Sequence, residues 1–237
     1  MNTYRINSFS NKDELAYAAS KLISDEIHQV LAVKERAQIA LSGGTTPSNA
    51  YKMLAKYDLP WHHVDIFLGD ERWVDSTHES SNALMLKKTL LSEFPGSKAC
   101  FHPTLTNKLD TPEENSTQFE TLLKSICHGH PPGFDLILLG LGEDGHTASL
   151  FPYSDALSIT DRYVAVGYGK GQARITLTAP VICAAKRIIF LVSGSSKKTA
   201  LKRLIDPMEP PERTPAKLVK TSNQILVLVD ADAASLL

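Results

Sequence analysis

The sequence predicts an α/β fold: a single doubly wound, mainly parallel sheet with helices on both faces, Rossmann-like in type, over residues 1–237 as one domain. Three observations predict it. Short, continuously apolar runs recur along the chain, as strands covered on both faces require. Stretches with apolar residues at helical spacing lie between several of them. Each run ends in small or charged residues, which gathers polar loops at the carboxyl ends of the strands, where open α/β sheets bind ligands. A chain of 237 residues, 43% hydrophobic, is long and apolar enough to bury such a core.

Ser10 to about Arg36 reads as the first helix. Leu15, Ala18, Ala19, Leu22, Ile23, Ile27, Val30 and Leu31 recur on one face, and Ser10 with Asp13 has the spacing of a weak capping box. Gln38–Leu41 is the first strand-like run, and it enters Ser42-Gly43-Gly44-Thr45-Thr46-Pro47. The glycines permit a tight turn, Thr46 suits an N-cap and Pro47 a first helical position, opening a helix over Pro47–Tyr57. Free N–H groups at such a helix start attract an anion such as a sugar phosphate. Taken alone the segment also reads as an ordinary strand-to-helix turn. It is neither a Walker A loop nor G-x-G-x-x-G, so nucleotide binding has little support.

Val64–Leu68 is the next strand and runs into Gly69-Asp70-Glu71-Arg72. Arg72 could grip a phosphate bidentately with Asp70 or Glu71 holding it, or form a structural pair with a carboxylate. Helical spacing follows over Asn82–Ser92 and Glu113–Ile126, separated by a loop at Thr104–Pro112. His62-His63 read as surface residues. Cys127-His128-Gly129-His130 resembles a metal tract but lacks a spaced partner pair, so no metal site is expected.

Asp135–Leu139 runs into Gly140–Pro152, GLGEDGHTASLFP, the most informative segment. Three glycines and two acids surround one histidine. His146 at a strand's carboxyl end is a candidate general base, with Asp144 two residues earlier to orient the ring. Gly167–Gly171 reads as a flexible turn. Arg174 opens Arg174-Ile175-Thr176-Leu177-Thr178, a position that is commonly at the surface. Arg187–Val192 is a strand that leads through Ser193-Gly194 to Lys197, a further cation, and to a helix over Lys197–Ile205. Asp206–Pro215 reads as a surface loop, and Gln224–Val229 as the final strand. Arg72, Arg174 and Lys197 converging on one phosphate is an expectation that only the fold can test.

A net charge of -1 argues against a general nucleic-acid binder. The three cysteines form no C-x-x-C pair, which favours a reducing compartment. The N-terminus lacks the pattern of a signal peptide and no apolar run would span a bilayer, so a cytoplasmic location is expected. Oligomeric state is left open.

The segments LSGGTTP, GDERWV with Ser81-Asn82 following, FDLILLGLGEDGHTASLFP, RITLT and FLVSGSSKK resemble, in the same order, those of the 6-phosphogluconolactonases. The resemblance implies a carboxylic ester hydrolase that converts 6-phospho-D-glucono-1,5-lactone to 6-phospho-D-gluconate in the oxidative pentose phosphate pathway, with no cofactor and a phosphorylated sugar lactone as its small-molecule partner. It implies His146 as the base with Asp144 beside it, Gly43, Gly44 and Thr45 as the phosphate-side turn, and Asp70, Arg72, Arg174 and Lys197 around the substrate. Three departures stand out. Lys170-Gly171-Gln172-Ala173 replaces a proline-rich approach to RITLT, Asp75 replaces a proline, and Tyr153 replaces a glycine.

The related glucosamine-6-phosphate deaminases carry a similar D-G-H motif that continues to a catalytic-site glutamate. Phe151 occupies that position here, and Arg72 stands where they have a tyrosine. Both differences favour the lactonase. A sugar-phosphate-binding regulator without turnover is the remaining alternative.

Overall fold

A computed structural model describes residues 3–106 and 111–237. Part of the loop expected at Thr104–Pro112 lies outside the described residues. Seven strands make the main sheet: β1 (Tyr4–Phe9), β2 (Ala37–Leu41), β3 (Val64–Leu68), β5 (Cys100–Phe101), β6 (Leu136–Gly140), β9 (Arg187–Val192) and β10 (Ile225–Asp230). Their order is β1-β10-β9-β6-β2-β3-β5, and every neighbouring pair is parallel. From β2 the chain winds outward to β3 and β5; from β6 it winds the other way to β9 and β10. The winding therefore reverses between β2 and β6, and that switch point opens a crevice at the strands' carboxyl ends.

The central strands are buried on both faces and largely apolar, with polar residues such as Gln38 and Asp65 only near their amino ends. One face packs against α1 (Lys12–Leu31), α2 (Thr45–Leu54) and α3 (Asn82–Thr89), through Ile39, Leu41, Leu136, Leu138 and Ile189. The alternate residues Ala40, Ile137, Leu139, Ile188 and Phe190 face the second core. That core is closed by α4 (Pro112–Ile126), α5 (Ala179–Cys183), α6 (Lys198–Ile205) and α7 (Ala231–Ala234). It also contains an element absent from the sequence reading: a second, antiparallel sheet of β4 (Asp70–Arg72), β8 (Gln172–Leu177) and β7 (Val164–Gly169), in that order.

Several boundaries move for local reasons. The first helix starts later than expected, because Asn11 is its cap and accepts from the Asp13 and Glu14 amides, while Glu14 reaches back to the Ser10 N–H. Its end lies at Leu31 rather than near Arg36. The second helix begins at Thr45, with Gly44, not Thr46, as its N-cap. Gly44 has φ +116°, which only glycine adopts readily, and it swings the chain into the helix two residues early. Pro47 then occupies the first turn, where its missing N–H would have had no partner within the helix.

At the opposite, amino end of the sheet the charges are structural. Asp135 receives Lys34, Lys186 and the Gln38 amide, and Asp65 receives Arg36, Gln38 and His102.

Candidate active site

The loops at the carboxyl ends of β2, β3, β6 and β9 surround a cleft of about 230 Å³, sized for a small metabolite rather than a polymer. Gly43, Gly44, Thr45, Asp70, His146 and Lys197 are on its wall, so six of the nine expected site residues come together directly. Asp144, Arg72 and Arg174 stand immediately behind it through contacts described below. A roomier hollow of about 890 Å³ near Tyr4, Cys183 and Lys220 carries none of them.

On the β2 side, Tyr51 of α2 donates to the Ser42 carbonyl at 2.9 Å and fixes the turn. The Ser42 hydroxyl is buried on the cleft wall with no hydrogen-bond partner among the described residues. Gly43 packs so tightly on Asn82 that a side-chain Cβ would overlap its amide group. Asn82 also accepts from Arg72 Nη1 at 2.6 Å, and the same nitrogen donates to the Ser80 carbonyl. The Arg72 guanidinium therefore lies beneath the glycine turn. Glu71 does not clamp it. That carboxylate instead caps α3, accepting from the Asn82 and Ala83 amides at 2.8 and 2.7 Å. Burial pushes the Glu71 carboxyl above its ordinary range, against the pull of those N–H groups.

Asp70 joins the two sheets. Ser149 Oγ donates to its carboxylate at 2.5 Å, Arg174 Nη1 lies 3.6 Å away, and Asn82 donates to its carbonyl. Arg174, expected near the surface, is only 6% exposed, because β8 sets it opposite Arg72 on β4, between Asp70 and the Phe151 ring.

The loop after β6 curls on itself: Gly142 N donates to the His146 carbonyl and Thr147 Oγ1 to the Gly140 carbonyl. Asp144 Oδ1 lies 2.5 Å from His146 Nδ1 and also accepts the His146 amide at 3.1 Å. Burial alone would raise the Asp144 carboxyl, but its bond to the imidazole and the charge of that ring draw it down to about 2. An ionised Asp144 takes the proton on Nδ1 as a donor, which leaves Nε2 as the basic lone pair. The ring packs at a tilt of 36° against Phe151 with centroids 4.6 Å apart, and the Arg174 guanidinium lies 5.3 Å from the Phe151 centroid.

The proline-rich segment expected as a surface loop braces this site from behind. Thr214 is fully buried against Gly145, the Ala216 amide donates to the Gly145 carbonyl, and the Tyr153 amide donates to Glu212. Tyr153 sits at φ +59°, a conformation that suits the glycine common at this place in the resembling family. On the β9 side, Asp230 accepts from Ser193 Oγ and the Gly194 amide, and Lys197 lies 3.7 Å from Glu143.

Sequence reasoning missed Ser42, Ser193 and Lys170 on the cleft wall. Lys170 had a signal: it belongs to the GYGKG turn, which proves to be the tip of the β7–β8 hairpin rather than a loose connection. Among the described residues no group of three or more His, Cys, Asp or Glu could hold a metal, and no helix is long and apolar enough to cross a membrane.

A family profile described as glucosamine-6-phosphate isomerases/6-phosphogluconolactonase matches residues 10–228. The chain belongs to this family. A 6-phosphogluconolactonase of Synechocystis is 39% identical over 232 residues, covering 97% of this chain and 96% of that protein. One from Nostoc is 37% identical, covering 90% of each. Among solved structures, the Shewanella baltica 6-phosphogluconolactonase superposes with a TM-score of 0.88 at 26% identity, over 97% of this chain and 98% of that one. The Trypanosoma brucei 6-phosphogluconolactonase gives 0.87 at 26% identity, over 99% of both. A monomeric glucosamine-6-phosphate deaminase shares the fold at TM-score 0.81 and 23% identity, covering 98% of this chain and all of that one. The backbone is thus common to both branches of the family, and the side chains must separate them.

Proposed function

We propose that the protein hydrolyses 6-phospho-D-glucono-1,5-lactone to 6-phospho-D-gluconate, with His146 as general base and no cofactor. In this reading residues 1–237 act as one domain, in the cytoplasm, within the oxidative pentose phosphate pathway. The observation that carries it is His146, backed by its bond to Asp144, on the wall of the same cleft as the α2 N-terminus, at the sheet's switch point.

The phosphate sits at the Gly43–Thr45 turn, where free amides, the unpartnered Ser42 hydroxyl and the nearby Arg72 charge favour an anion. Lys197 supplies a cation from the β9 side. Arg174 acts from behind, holding Asp70 and Phe151 in place. With the ring fixed, Nε2 of His146 removes a proton from water as its oxygen attacks the lactone carbonyl. Collapse of the tetrahedral intermediate breaks the bond to the ring oxygen, which takes the proton back from the imidazolium. One water is consumed and one hydroxy acid leaves.

Phe151 supports the lactonase over the deaminase, because an apolar ring fills the position from which a carboxylate would assist histidine in ring opening. The test is lactone disappearance measured against its spontaneous rate, with glucosamine 6-phosphate deamination assayed in parallel. His146→Ala is expected to lower kcat by ~10²–10⁴-fold with the fold intact, the usual contribution of a general base. Near-wild-type turnover in that variant sinks the assignment. Phosphosugar binding without any shortening of the lactone lifetime would instead make the protein a regulator.

A further inference from the structure

The cleft has two chemically different ends. The β2 end offers amides and Arg72 and has a place for a dianion. The β6 end carries Glu143 and Asp144 beside His146, which would repel a phosphate. A neutral lactone carbonyl suits that end, but the negative charge that develops on its oxygen during attack then needs a donor. Lys170 is on the cleft wall there, and among the described residues its ammonium has no hydrogen bond or ion pair, whereas Lys197 lies against Glu143.

Packing holds the hairpin that carries Lys170, which is itself exposed at the tip. A Cβ on Gly167 would lie 2.5 Å from the Ser149 carbonyl oxygen, and one on Gly169 would overlap the Phe151 ring. Two glycines thus let β7 press directly onto the Ser149–Phe151 segment that follows His146. The turn beyond them, with Lys170 at φ +54° and Gly171 at φ +80°, aims the hairpin tip back over the cleft. Lys170 shares the cleft wall with Gly142, His146 and Ala148, and its charge helps to lower the Glu143 and Asp144 carboxyls of that loop.

We propose that Lys170 is a catalytic residue that stabilises the oxyanion formed on the lactone carbonyl as His146 activates water. This rests on the lactonase reading. Among the described residues the ammonium makes no hydrogen bond or ion pair in the ground state, whereas the tetrahedral intermediate offers it a full negative charge to bind, so its effect belongs to kcat rather than to binding.

Steady-state lactone hydrolysis by Lys170→Gln, Lys170→Arg and Lys197→Ala tests it, with wild type as the reference and thermal unfolding as the fold check. Removing one oxyanion donor typically costs ~10²-fold or more. Lys170→Gln is expected to lose about that much kcat with KM within about threefold, Lys170→Arg to recover a large part, and Lys197→Ala to act mainly on KM. A Lys170→Gln enzyme with unchanged kcat, or with only a raised KM, overturns the proposal. Wild-type protein that leaves the lactone lifetime unchanged fails the lactonase reading itself, a result distinct from either.

Discussion

Gly142→Ala isolates the geometry of the Asp144–His146 pair without touching either residue. The backbone at Gly142 does not need glycine's left-handed conformations, since it is absent from the positive-φ positions among the described residues. Space is the obstacle. The new methyl group would overlap His146 at Nδ1 and Cε1 and lie 2.5 Å from Asp144 Oδ1. Restoring an ordinary separation of about 3.5 Å requires the carboxylate to move by about 1 Å and the ring by about 1.5 Å. A displacement of that size near the reacting atoms costs about 10²-fold in rate, or ~2.7 kcal/mol of barrier. Initial rates of lactone hydrolysis, corrected for the spontaneous reaction, should therefore fall about a hundredfold in kcat. The circular dichroism spectrum should stay that of the wild type. A Gly142→Ala enzyme with native turnover would show that the close Asp144–His146 contact is dispensable, and the general-base reading would lose its geometric support.

Two more predictions follow from the surroundings of the cleft. Because Asp144 is held at about 2, below the ordinary carboxylate value of 3.8, its contribution to stability is fully present above that ordinary value and is lost as pH falls through about 2. Asp144→Asn should accordingly flatten the last acid stretch of the unfolding profile and lower kcat at neutral pH; an unchanged acid profile counts against the pair. Tyr51→Phe removes the phenol that steadies the Ser42 carbonyl and should cost about 1 kcal/mol in urea unfolding, with KM raised more than kcat is lowered.

The five interior strands were legible because their runs are almost wholly apolar, broken only near the amino ends by residues such as Gln38 and Asp65, as a doubly covered sheet requires. The edges were not. β1, YRINSF, mixes polar and apolar residues because it has one neighbour and partial exposure, and β5 is two residues long. The small antiparallel sheet hid for another reason: DER has no strand propensity, and it is a strand only because β8 pairs with it. The same distinction governs the site. His146 and the glycine turn announce themselves through local chemistry at strand ends. Arg174 looked superficial because its burial comes from β4 and the Phe151 ring, which are remote in sequence. Lys170 looked incidental because glycine usually marks slack, whereas Gly167 and Gly169 here mark contact.

The pairing of β1 with β10 has a consequence for how the chain is made. β1 sits at the sheet's edge, and its sole strand neighbour among the described residues is β10, from Tyr4 opposite Ile225 to Phe9 opposite Asp230. During synthesis the first strand must wait for the last, while β2, β3 and β6 already have partners. The final residue of that late strand, Asp230, is also what anchors Ser193 and Gly194 before Lys197. A nascent chain that has released everything up to β9 would hold the glycine turn and His146 yet lack a fixed β9 loop. Completion of the cleft thus coincides with completion of the sheet, so that a partly made chain has no finished site to offer a substrate.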